Sequence, residues 1–153
     1  MGFPFSSGDV LTAADMNAIG DWTSFTPTFN NVTLGASGTV VGRYAVVNDL
    51  VFYTVKFDLG GTGSVSGQIT FDVPVGTPDS SNQYATSHMG WCRPATTFYH
   101  AMGFSGNSTT QIYSYAYKIN VGTYSNITPT SATVPATWTS NGIFYMAGWY
   151  AKT

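Results

Sequence analysis

The sequence predicts an all-β protein: an antiparallel β-sandwich or jelly-roll-like domain preceded by a short N-terminal arm and helix. Three observations carry that expectation. From Asp21 onward the apolar residues fall in short runs, several with period-two alternation. Gly, Pro, Asn and Ser punctuate those runs, as turns require. The runs themselves are filled by β-branched and aromatic residues, which suit a pleated surface.

The first twenty residues read differently. Met1 to Phe5 is an apolar arm, and Ser6-Ser7-Gly8-Asp9 is turn-like. Thr12 with Asp15 three positions on forms a capping box, and Leu11 and Met16 supply a hydrophobic staple across it. Gly20 is the stop, because glycine takes a left-handed cap freely. Residues Ala13 to Ile19 are therefore expected to form a helix of two turns. Alone in water so short a helix is unstable, so it needs a surface to dock on.

Trp22 to Phe29 is an extended stretch that Pro27 confines to a sheet edge. Thr39–Val47 and Leu50–Asp58 flank Asn48-Asp49 and predict a hairpin. The second arm is apolar at successive positions and is expected to be a central strand covered on both faces. Gly60 to Ser64 is a loop. Residues Gln68–Val73 alternate as a half-buried strand, with Ile69, Phe71 and Val73 on one side. Tyr84 to Phe104 reads as two strands around Arg93-Pro94. In Gln111–Asn120 the tyrosines Tyr113, Tyr115 and Tyr117 share a face, opposite Ile112, Ser114 and Ala116. Tyr124 to Pro135 is broken by Pro129 and Pro135, and Ile143–Ala151 is a last aromatic strand. The division is thus residues 1–20, an anchoring arm and helix, and residues 21–153, a β-sandwich domain.

Composition narrows the function. There is no Glu, and charged residues make up 8% of the chain while aromatics make up 16%. A soluble domain carries about 25% charged residues. Ser, Thr, Asn and Gly must meet the water, and much aromatic surface needs something to pack against. The net charge of −2 offers no basic field for phosphates, so no nucleic-acid partner is expected. The uncharged stretch from Pro94 to Tyr117 is interrupted by Gly103, Gly106, Asn107 and Ser108, so no membrane insertion is expected either.

Enzymatic constellations are missing from the pattern. All seven acids are Asp. Asp58 and Asp72 are the candidate pair across a sheet end, but nothing in the sequence sets them in a cleft as a glycosidase pair requires. His88 and Cys92 lie four apart on an extended segment, about 13 Å by strand rise, too far to share one ion. No nucleophile elbow, phosphate loop or dinucleotide fingerprint occurs. The expectation is no catalytic residue, no metal and no cofactor. The one ligand chemistry on offer is aromatic. Trp91, Tyr99, Tyr113, Tyr115 and Tyr117 are candidates for a glycan-stacking platform, weighed against the reading that favours core or subunit interface.

Two segments resemble bacteriophage virion proteins of the small fibre, minor-tail and head-decoration kind. One is Phe5-Ser6-Ser7-Gly8-Asp9-Val10-Leu11-Thr12-Ala13-Ala14-Asp15-Met16-Asn17-Ala18-Ile19. The other is an ordered set: Trp22-Thr23-Ser24-Phe25-Thr26-Pro27-Thr28, Gly38 to Tyr44, Asn48-Asp49-Leu50-Val51, Val73-Pro74, Val134 to Trp138, and Gly148-Trp149-Tyr150. The resemblance implies a non-enzymatic virion component, assembled in the host cytoplasm and commonly a homotrimer. Its partners would be further copies of itself, other capsid or tail proteins, and, in the alternative, a host-surface glycan. It also implies attachment through the N-terminal region, with Phe3, Phe5, Val10, Leu11, Met16 and Ile19 as the anchor.

Overall fold

A computed structural model describes residues 20–79, 86–105, 110–118 and 126–153. The expected helix at Ala13–Ile19 and its cap lie outside the described residues. Within them there is no helix, and ten strands form one antiparallel sheet. These are β1 (Thr23–Phe25), β2 (Phe29–Thr33), β3 (Thr39–Val47), β4 (Leu50–Asp58), β5 (Ser64–Asp72), β6 (Thr86–Arg93), β7 (Tyr99–Ser105), β8 (Gln111–Lys118), β9 (Asn126–Pro129) and β10 (Ile143–Ala151).

The order across the sheet is β1-β3-β4-β10-β6-β7-β8-β5-β2, with β9 on the remaining stretch of β8's edge. β1 and β2 follow each other in sequence, separated only by Thr26-Pro27-Thr28, yet they end opposite sides of the order. The sheet therefore curls over on itself. The core shows the closure directly: Phe29 of β2 meets Phe57 of β4 with ring centroids 5.0 Å apart and Phe144 of β10 at 6.0 Å. Its lattice of rings also takes in Phe71 and Tyr53.

Alternation sets the two faces. Val51, Tyr53, Val55 and Phe57 of β4 are buried, as are Phe144, Met146 and Tyr150 of β10. β4 is central in the order, as its apolar run suggests, but it is covered on one face only: Leu50 and Phe52 are exposed. An apolar outward row reads the same in sequence whether the domain or a neighbour covers it. The hairpin turn is as expected, with Val47 opposite Leu50. Asn48 holds it at φ 54°, a conformation Asn tolerates better than most residues.

One irregularity is repaired by a side chain. Along β8, the edge shared with β5 at Gln111–Tyr113 passes to β9 at Tyr115–Lys118. Thr130, fully buried just after β9, fills the junction: its Oγ1 accepts from the Ile69 N–H at 3.0 Å and shares a hydrogen bond with the Ser114 hydroxyl. An amide that the ladder leaves over at the handover is thereby satisfied.

Candidate functional site

The outward face of β4, β10, β6, β7, β8 and β9 is where the unusual composition is spent. Register places Thr54, Ala147, Met89, Met102, Tyr115 and Pro129 in one row across six strands. The next row runs Lys56, Tyr145, Trp91 and His100. Phe104 pairs with Tyr113, and Phe52 with Trp149. These side chains stand away from the core. Met89 is 69% exposed, Phe98 61% and Phe104 50%.

The rings pack on one another rather than lying loose. Trp91 stacks on Tyr145 at 5.8 Å and meets Phe98 edge-on at 5.1 Å. The Arg93 guanidinium lies 5.6 Å from the Phe98 ring centroid and reaches the Asn141 carbonyl. Phe104 meets Tyr115 edge-on at 5.1 Å. Such contacts stiffen the face before any partner arrives. Beside the stacked pair, a groove of about 630 Å³ runs over β3 and β4, lined by Ser24, Val41, Arg43, Thr54, Lys56 and Tyr145 among others.

Of the residues singled out in sequence, Trp91, Tyr113, Tyr115 and Tyr117 come together on this outward face. Tyr99 does not: it pairs with the buried Cys92 and packs against the core on the inward side. The anchor residues Phe3, Phe5, Val10, Leu11, Met16 and Ile19 lie outside the described residues. Sequence reading missed Met89, Phe98, Met102, Phe104, Tyr145 and Arg43. The available signal was in β10, where Tyr145 and Trp149 alternate with the equally large Phe144, Met146 and Tyr150.

The acid–base and metal candidates named from sequence are not brought together among the described residues. Asp58 pairs with Lys56 at 2.8 Å and accepts from Thr39, while Asp72 accepts from Gln111, on a strand that is not a neighbour. His88 and Cys92 both point into the core. The Cys92 thiol is pushed up to about 12 by burial, far from a reactive thiolate. Among the described residues, no group of three or more His, Cys, Asp or Glu is placed to hold a metal.

No family model matches the chain, and no curated protein matches it. Among solved structures, the Dettilon tailspike protein (gp208) matches with a TM-score of 0.61 at 15% identity. The chain shares its fold with part of a phage tailspike. The match covers 88% of this chain and 24% of that one, so this chain spans about a quarter of the tailspike's length. At this identity the shared property is the curled antiparallel architecture.

Proposed function

We propose that this chain is a non-enzymatic structural module of a phage particle. It works as a homotrimer docked through residues 1–20, in a head or tail fibre or as a capsid decoration. The observation that carries the reading is the outward face of rings and thioethers on a chain with only 8% charged residues. Interface centres are depleted in charge and enriched in aromatics and Met, whereas free surfaces are not. A fold shared with part of a tailspike favours a fibre-type appendage over the capsid surface.

The test removes residues 1–20. The core of the described residues is assembled from side chains between Phe25 and Tyr150, so the chain without residues 1–20 is expected to fold and melt cooperatively. It is also expected to be at least tenfold depleted from purified particles, measured by immunoblot against the full chain. Incorporation at the full-length level would sink the docking role.

A second reading, recognition of a host-surface glycan, is favoured by a separate observation. Phe98, Trp91 and Tyr145 form a stacked array on the open face. Sugar C–H faces pack on such rings, and the groove begins where the array ends.

A further inference from the structure

We propose that the groove between β1, β3, β4 and Tyr145 binds a carboxylated saccharide, with the Arg43 guanidinium holding the carboxylate and Tyr145 the sugar face. The inference rests on the glycan reading and gives it a ligand class and an address.

The charge distribution points there first. The chain has five Lys and Arg in all, and two of them, Arg43 and Lys56, line this one groove of a protein whose net charge is −2. Lys56 is neutralised by Asp58. Arg43 is exposed, and among the described residues it has no carboxylate within ion-pair distance. A guanidinium presents a planar fork that matches a carboxylate with two parallel hydrogen bonds. Left unpaired beside a groove, it selects for a ligand that brings that group.

The rest of the lining suits a sugar. Ser24, Thr26 and Thr54 offer hydroxyls that can donate and accept. Tyr145 closes one end with a ring already fixed by its stack on Trp91. Arg43 pairs with Ser24 on β1 and with Thr54 on β4, so the cation and two hydroxyls are fixed by register rather than by loops. The volume falls within the range of small-ligand sites. A phosphate chain fits less well. The strand amides of β3 and β4 face one another in the ladder, leaving no cluster of backbone N–H groups to cradle it.

The experiment is a glycan array carrying matched neutral, carboxylated and sulfated oligosaccharides, probed with the full chain and with Arg43→Gln and Tyr145→Ala. Both positions are outside the core, and near-UV circular dichroism checks that each variant keeps the wild-type fold. The expected result is retention of uronate- or sialate-bearing glycans at least tenfold above their neutral parents. Arg43→Gln should erase that preference, and Tyr145→Ala should lower binding to all of them. Binding that ignores the carboxylate or the Arg43 substitution overturns the groove assignment while leaving the glycan reading in place. Equal binding of sulfated glycans, dependent on charge alone, also overturns it. Absence of any bound glycan overturns both.

Discussion

Replacing Phe144 with alanine is expected to destabilise the protein by about 3–5 kcal/mol, the range for truncating a fully buried aromatic. Phe144 is 0% exposed and lies near the start of β10, between β4 and β6. Its ring stacks on Phe57 at 5.5 Å and 13°, and meets Phe29 and Phe71 edge-on. Phe29 is the residue by which β2 closes the curled sheet, so the cavity would open where the two halves meet. The loss is a large share of the roughly 5–15 kcal/mol that holds a domain of this kind. Urea denaturation of the wild type and the variant measures it. A loss below about 1 kcal/mol, outside the expected range for a filled core, would show that the ring lattice does not carry the closure.

The second large effect is acid sensitivity through His88. His88 is 4% exposed; its Nδ1 shares a hydrogen bond of 2.8 Å with the Tyr53 hydroxyl, and Nε2 has no partner among the described residues. The site exists because Gly103 and Gly148 flank it. A Cβ built on Gly103 would lie 2.8 Å from the His88 Cβ, and one on Gly148 2.7 Å from Nδ1. Burial lowers the His88 pKa from 6.5 to about 4. The unfolded chain therefore takes up the proton first as pH falls. The full stability is present above about pH 6.5, and it is lost progressively down to about pH 4, below which both states are protonated. The shift corresponds to about 3 kcal/mol. His88→Gln keeps a polar partner for Tyr53 and no titration, so its stability curve between pH 6.5 and 4 should be flatter by that amount. Parallel curves for the two proteins would refute the assignment. Tyr53, whose own pKa burial raises well above 10.0, stays neutral throughout this window.

Much of the strand content was legible because it is local. Ile143–Ala151 and the hairpin of Thr39–Val47 with Leu50–Asp58 appear with the expected bounds. What sits beside what was not legible. β10 inserts between β4 and β6, a pairing set by packing across long sequence separations rather than by any turn. Face parity was lost for the same reason. The sequence suggests one platform for Tyr99 and Trp91, but the turn from Arg93 to Tyr99 brings Tyr99 opposite Cys92 and so inward. For β10, and for β4 at Leu50 and Phe52, both faces are apolar or aromatic, so alternation there carries no sign telling core from outward surface; Lys56 and Asp58 at the end of β4 mark the outward side. The groove was invisible in sequence because Ser24, Arg43, Thr54 and Tyr145 come from four different strands.

The account depends on the outward rings of β7 and β8, Phe104 and Tyr115 among them, being covered by other copies of the chain while the groove at Tyr145 stays open. Light scattering on the purified full chain across a hundredfold range of concentration tests this most directly. The prediction is a constant mass of three 16.3 kDa protomers, falling to one when Phe104 and Tyr115 are replaced by serine. A wild-type chain that stays a single protomer throughout, with those rings open to water, would contradict it.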